Sequence, residues 1–562
     1  MTWIYPLSAE VEETASVLGG KGYGLVVLQR LGLPVPPGFV IRTRACRAFL
    51  REGRLPDGLD VELASAVSDL EAATRRRLGG PERPLAVSVR SGGSVSMPGM
   101  MSTILNLGLT AESTAGLAAE TGDPRFALDS HLRFLSSFAS AVFGLEPEDL
   151  EAVAREVTER DAGSEETRLA DAIRGVEGLI RERADGPVPD DAMRQLELAV
   201  RAVFSSWDTP RAKTYREVHG IPHELGTAVT VQAMVFGNRD NHSGTGVAFS
   251  RNPNTGEPVP FGDVLFGCQG EDVVSGRSMT RPLPELAERE PTVWAGLLEA
   301  MNRIEEHYRD ACSVEFTFEA GELWVLQVRP GGLVGRAAVR VAVDLADEGV
   351  IGRREALLRV SPQHLRHART PRIETADAID ILARGLGACP GVAVGRVATT
   401  ADNAARMAAG GPVILVRPHT SPLDMHGLAA AVGVVTARGG PTSHAAVVAR
   451  AMGKPAVVGA TDLTVDVAAA SVRAGGRTYP EGTLITIDGT GGDVVVGTPR
   501  IVTPATDSHV HRLLEWADEV SGDNFADPGS AKHGADRLRR AGNSGRNEAE
   551  RLMAAHAVLL NA

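Results

Sequence analysis

A mixed α/β and α+β architecture of several domains is what this sequence predicts, on three observations. The chain has 562 residues, too many for one hydrophobic core, so three or four domains are expected from length alone. Hydrophobic residues make up 43% and aromatic residues only 4%, so the cores must be built from Val, Leu, Ala and Ile, which suits buried α/β layers better than aromatic-rich sandwiches. Short apolar runs alternate with Gly-rich turns over most of the chain, and one long stretch has the three- and four-residue spacing of helices.

Taken in order, the Gly-rich segment 19–24 opens a helical stretch to about residue 31, Pro34, Pro36 and Pro37 break it, and 39–41 reads as a strand. A second strand over 85–89 runs into a loop, 94–103, rich in Gly, Ser and Met. Residues 124–215 carry a helical pattern. Strands are expected over 228–236 and 247–249, and 313–318 with 323–328 reads as a hairpin turning at Ala320-Gly321. Residues 336–372 look like helices and a linker, 382–498 like a compact unit of short strands around one strong helix, and the last sixty or so residues are polar and helical in places.

Charge and composition exclude several classes of function. The formal net charge is −13 and no basic stripe is present, which argues against nucleic-acid binding because phosphate neutralisation needs clustered Lys and Arg. The four cysteines, Cys46, Cys268, Cys312 and Cys389, are far apart and form no zinc or disulfide spacing. No basic, then apolar leader and no run of eighteen apolar residues is visible, so a cytoplasmic protein with no membrane contact is expected. Only four lysines occur, Lys21, Lys213, Lys454 and Lys532, in a chain that otherwise uses Arg, so a Lys here marks a place that needs a compact ammonium.

The sharpest motif is the run 439–450, Gly-Gly-Pro-Thr-Ser-His-Ala-Ala-Val-Val-Ala-Arg. An apolar strand leads in, two glycines turn, Thr442 or Ser443 can cap a helix, and Gly453 with Pro455 closes it. His444 is thereby placed in the first turn, where unpaired backbone N–H groups favour an anion, and an imidazole there can accept and hold a phosphoryl group.

This run resembles the phosphohistidine signature of phosphoenolpyruvate-utilising enzymes, and within them the pyruvate, phosphate dikinase family. The resemblance extends over most of residues 10–500, through segments 18–25, 87–108, 226–257, 269–274, 306–319 and 326–329. It implies an ATP-grasp nucleotide-binding domain over 1–335 with a helical insertion at about 124–215, a linker over 336–381, a swivelling phosphohistidine domain over 382–502 and a tail over 503–562. It implies that Lys21 and Arg90 contact ATP phosphates and that the loop bearing Gly99, Met101 and Thr103 folds over them. It further implies that Gln232, Met234 and Val235 form a strand edge for adenine, that Glu271 contacts the nucleotide, that Glu315 and Gln327 ligate Mg²⁺, and that Arg329 stabilises charge on the transferring phosphates. His444, Arg329 and Arg90 are the implied catalytic residues, with ATP as substrate and Mg²⁺ as cofactor.

Two departures stand against the resemblance. Ser313 occupies the position, two before Glu315, where the family carries an acid. The family's C-terminal barrel for pyruvate and phosphoenolpyruvate is expected after residue 500 and needs roughly 250 residues, whereas here only 513–518 and 525–528 resemble its opening. The expectation is therefore an ATP-dependent phosphotransferase that loads His444, using ATP and inorganic phosphate, and delivers to a small-molecule acceptor or a separate pyruvate-binding protein. Because the resemblance places dimerisation in the barrel, a monomer is expected. The alternative is a non-catalytic ATP-binding regulator or a decayed dikinase.

Overall fold

The computed structural model describes residues 2–561 apart from 96, 98–99, 161–162, 185, 275–278, 369–370, 375–379, 503–506 and 522–543. By contacts the chain divides into two units, Met1–Ser243 with Thr317–Val328, and Gly244–Phe316 with Arg329–Ala562.

The first unit is built on a five-stranded antiparallel sheet in the order Ile4–Pro6, Gly38–Ile41, Thr227–Ala233, Val87–Gly93, Thr103–Leu107. The Gly-rich segment 19–24 is helical, as expected. It lies within a helix, Ala15–Arg30, interrupted only at Gly19, whose φ of 70° and ψ of 161° are non-helical. A side chain at Gly19 would collide with the carbonyl of Gly92, so both backbone angle and close approach require glycine there. The helical stretch after residue 124 shows ordinary capping. Asp123 accepts from the N–H groups of Arg125 and Phe126, Pro124 takes the first position, and Gly144 at φ 71° ends the helix Pro124–Phe143. Helices Pro147–Arg160, Glu165–Arg183, Ala192–Ser206 and Pro210–His219 follow.

The second unit contains a sheet whose first strands, Arg281–Pro282, Phe261–Phe266 and Gly244–Phe249, are antiparallel and continue into Cys312–Glu319. It also contains an eight-stranded sheet whose centre is four parallel strands, Val392–Ala398, Val413–Arg417, Gly433–Thr436 and Ala456–Val458. Antiparallel strands flank them on both sides, Leu484–Asp488, Asp493–Val496 and Ile381–Arg384 at one, Leu386–Cys389 at the other. The parallel strands read as continuous apolar runs because both faces are covered, one by Val397, Val416, Val435 and Ile485, the other by Leu415, Leu428, Ala446 and Val458.

Residues 335–368 form three helices, Gly335–Asp347, Arg353–Arg359 and Pro362–Ala368. They share one core with Ser508–Ser521 and Ser544–Asn561 through Leu357, Leu365, Leu513, Trp516 and Leu552. No helix among the described residues is long and apolar enough to cross a membrane.

Candidate functional site

His444 and Thr420 come together because two neighbouring parallel strands end side by side. Chain leaving Gly433–Thr436 turns through the glycines into the helix His444–Met452, and chain leaving Val413–Arg417 passes directly to Thr420. Sites in sheets of this kind form outside the carboxyl ends of parallel strands, where loops and helix N-termini converge. The Thr420 hydroxyl lies 3.1 Å from Nδ1 of His444. Nε2 is buried and has no hydrogen-bond partner. In the tautomer whose Nδ1–H donates to Thr420, the lone pair is on Nε2, the atom then available for reaction. Burial, partly offset by the charge of Asp424, lowers the imidazole pKa to about 4, so the ring is neutral near pH 7.

The loop before His444 is held from both ends. Arg450, six residues on and almost fully buried, donates to the carbonyls of Pro441 at 2.6 Å and Ala388 at 2.9 Å. Asp263 Oδ2 accepts from the N–H of Thr442 at 2.9 Å and from its hydroxyl at 2.6 Å, and Asp263 Oδ1 accepts from Thr280 at 3.0 Å. A side chain at Gly440 would meet these same carboxylate oxygens, which explains glycine at that position. Burial raises the Asp263 pKa although its three donors act to lower it. Thr442 is thus committed to Asp263, and Ser443 occupies the cap position but makes no cap bond.

In the first unit, the residues expected to meet ATP are brought close. Lys21 lies against Gly92, on the strand that carries Arg90. Arg90 Nη2 donates to Gln232 Oε1 at 2.6 Å and to the carbonyl of Leu326 at 3.3 Å, next to Gln327. Thr103 is the cross-strand neighbour of Arg90. Met101 is partly exposed, with its sulfur 3.8 Å from the Ser206 hydroxyl. Gln232 is not at an edge, which corrects the expectation. It sits in the central strand, paired to Gly38 on one side and Ser88 on the other, and its amide donates to the Pro36 carbonyl at 3.0 Å. Its side chain orients Arg90, and only Met234 and Val235 lie beyond the strand's end. Gly99 and the side chain of Glu271 lie outside the described residues.

Glu315 lies in the strand Cys312–Glu319, with Ser313 on its face by alternation. It forms an ion pair with Arg329 at 2.9 Å, so two residues expected to act separately on metal and phosphate are partnered with each other. Gln327, nearly buried, lies in Glu322–Pro330. Among the described residues no cluster of three or more His, Cys, Asp or Glu could hold a metal. Glu315 and Gln327 each carry a hard oxygen donor, the ligand type that Mg²⁺ takes beside substrate phosphates and water.

Sequence reasoning missed Thr420, Asp263 and the clamp by Arg450. Asp263 left one trace, a lone acid in the otherwise apolar strand Phe261–Phe266. Thr420 left none beyond its place after a strand.

Comparison with known proteins finds two family matches along the chain. Residues 15–77 and 58–282 match the pyruvate phosphate dikinase AMP/ATP-binding domain, and residues 410–492 match the mobile domain of PEP-utilising enzymes. The chain is 42% identical over 539 residues to the pyruvate, phosphate dikinase of Rhizobium meliloti, covering 92% of this chain and 60% of that protein. It is 44% identical over 513 residues to pyruvate, phosphate dikinase 2 of Zea mays, covering 90% and 58%, and 44% identical over 513 residues to the chloroplastic pyruvate, phosphate dikinase 1 of Oryza sativa, covering 90% and 54%. The chain therefore spans little more than half the length of these curated relatives. Through its nucleotide-binding and mobile regions, this chain belongs to the pyruvate, phosphate dikinase family.

Proposed function

We propose that this chain is an ATP-dependent phosphotransferase in which His444 is the phosphoryl carrier. The observation that carries the reading is the state of that imidazole. It is neutral, held at Nδ1 by Thr420, with Nε2 unpartnered at a helix N-terminus, inside the segment that matches the PEP-utilising mobile domain.

Residues 1–335 are assigned to nucleotide binding, 336–381 to the linker, 382–502 to the carrier and 503–562 to a tail. Lys21 and Arg90 bind ATP phosphates, with Met101 and Thr103 covering them; Gly99 and Glu271 are assigned to the same nucleotide site. Met234 and Val235 face adenine. Gln232 acts through Arg90. Glu315 and Gln327 hold Mg²⁺, which supplies charge neutralisation and orients the phosphates. Arg329 exchanges Glu315 for phosphate oxygen as charge develops there.

Nε2 attacks the β-phosphorus of ATP. The N–P bond forms, the bridging bond to the α-phosphate breaks, and its electrons leave on AMP. Inorganic phosphate then attacks the terminal phosphorus of the pyrophosphorylated His444, releasing pyrophosphate and leaving one phosphoryl group on Nε2. The acceptor in this reading is a small molecule or a separate pyruvate-binding protein. The reading takes the carrier as monomeric and cytoplasmic, with no role for nucleic acid or membrane.

The test is incubation with ATP labelled at the β-phosphate, Mg²⁺ and phosphate, followed by measurement of acid-labile label and of AMP. Label that disappears in His444→Ala supports the half-reaction. Bound ATP with neither label nor AMP sinks it and leaves a nucleotide-binding protein without turnover, the reading that Ser313 in place of a carboxylate favours.

A further inference from the structure

Two buried polar atoms stand next to each other in sequence without a hydrogen-bond partner, the Ser443 hydroxyl and Nε2 of His444. Ser443 is 2% exposed and occupies the cap position of a nine-residue helix. A serine there ordinarily bonds the N–H two or three residues on, and a buried hydroxyl ordinarily finds a partner. Here it does neither. Its φ of −62° and ψ of 162° are those of a normal cap, so the backbone does not prevent the bond. Its carbonyl does its usual work, accepting from the N–H of Val447 at 3.0 Å. Only the side chain is withheld. The other hydroxyl of the loop, Thr442, is bound to Asp263 and cannot serve in its place.

We propose that Ser443 is a phosphoryl-binding residue, its hydroxyl donating to an oxygen of the phosphoryl group carried on Nε2 of His444. This rests on the carrier reading of His444 and names what completes that site. The donor is withheld from the cap because its acceptor arrives only with the phosphoryl group. Once the N–P bond forms, a dianionic group lies at the helix N-terminus, where the first-turn N–H groups and the Ser443 O–H all point positive charge at it. No bond to Ser443 is made or broken. The hydroxyl keeps its proton and donates a hydrogen bond to the charged oxygen. The phosphorylated carrier is thereby stabilised against attack by water, while Nδ1–H remains on Thr420.

The inference separates Ser443 from an ordinary cap. Removal of a working cap destabilises its helix. Removal of this hydroxyl breaks no bond in the unphosphorylated protein, so Ser443→Ala should leave the melting midpoint unchanged or slightly raised. The same variant should lose isolated phosphoryl label about tenfold faster than the parent chain, as expected for the loss of a hydrogen bond to a charged group. Ser443→Thr, which keeps the hydroxyl, should hold its label to within about threefold of the parent.

The experiment loads each protein with β-labelled ATP, removes nucleotide and follows acid-labile label with time alongside thermal unfolding. Rapid loss in Ser443→Ala with rescue by Ser443→Thr bears the inference out. Equal label lifetimes in parent and Ser443→Ala overturn it and leave the carrier reading intact. A lowered midpoint in Ser443→Ala with an unchanged lifetime overturns it in favour of a cap. A parent chain that takes no label overturns the carrier reading itself.

Discussion

The residues proposed to meet ATP and the loop proposed to carry the phosphoryl group present their polar groups differently. Around Arg90, Nη2 of the guanidinium is already paired. Gln232 holds its guanidinium, the Leu326 carbonyl takes a second bond, and in the second unit Glu315 and Arg329 form their own ion pair. Around His444, Ser443 Oγ and Nε2 are buried with no partner. Pairing in the first case lowers the cost of desolvating charge and orients the side chains, but those partners must be exchanged or shared when phosphates arrive. Orphaned groups in the second case carry a standing penalty that a bound phosphoryl group would remove. A transient nucleotide suits exchangeable partners, and a covalently held group suits reserved ones.

That contrast can be broken or sharpened by experiment. The largest effect is expected at Arg90. Arg90→Ala removes the proposed phosphate contact and strands the Gln232 amide oxygen, and labelling of His444 from ATP should slow by about 100-fold. A loss of less than about threefold would mean that the paired guanidinium is structural and that the comparison fails on the nucleotide side.

Asp263 comes next. Asp263→Ala leaves the buried Thr442 N–H and hydroxyl without their acceptor, a cost of about 2 kcal/mol in the carrier loop. Hydrogen exchange of peptides covering 439–447 should quicken by about 30-fold while peptides around Arg90 are unaffected. Unchanged exchange would show that the loop is held by Arg450 alone.

The pH response is expected to be small where an ordinary histidine gives a large one. With the imidazole pKa at about 4, the labelling rate at saturating ATP should change by less than about twofold between pH 7 and 5. A rate that halves near 6.5 would show that Nε2 is open to protons and not withheld. The sign for stability is fixed by the same shift. Since the unfolded chain binds the proton near 6.5 and the folded chain only near 4, the unfolded state takes up more protons in between. The contribution is therefore fully present above 6.5 and is lost as pH falls toward 4.

The smallest functional effect is expected at Lys454. Its ammonium donates to the carbonyls of Leu428 and Ala431 at 2.9 and 2.6 Å, and to that of Ala429, at the end of the helix Met425–Ala430. Lys454→Met should destabilise the fold by about 1–2 kcal/mol in urea titration and leave His444 labelling intact. Lost labelling would place Lys454 with the carrier loop and blur the contrast.

How much of this was legible depends on how local each feature is. The start of the His444 helix could be read because two glycines, the cap position and Gly453 lie within fifteen residues. The side chain that would cap it could not be chosen between Thr442 and Ser443, because the choice was made by Asp263, 179 residues away. That the strand bearing Gln232 is central and not at an edge was not legible, because a strand's neighbours are not encoded in its own pattern, and Thr227–Ala233 reads the same in either place. Residues 336–372 were legible as helices and a linker. Their partners were not, since Leu357 and Leu365 meet Leu513, Trp516 and Leu552 only after a long intervening domain.

Alone, the sequence determined the α/β class, the family, the helix that begins at His444 and the residue types suited to phosphate and Mg²⁺. Those rest on periodicity, capping and motif, which act over a few residues. Tertiary structure decided which groups are paired and which are withheld. It brought Thr420 to Nδ1, took Thr442 for Asp263, left Ser443 without a partner and lowered the His444 pKa by burial. Hydrogen-bond satisfaction and desolvation depend on everything that surrounds an atom, and for these atoms the surroundings are assembled from segments far apart in the chain.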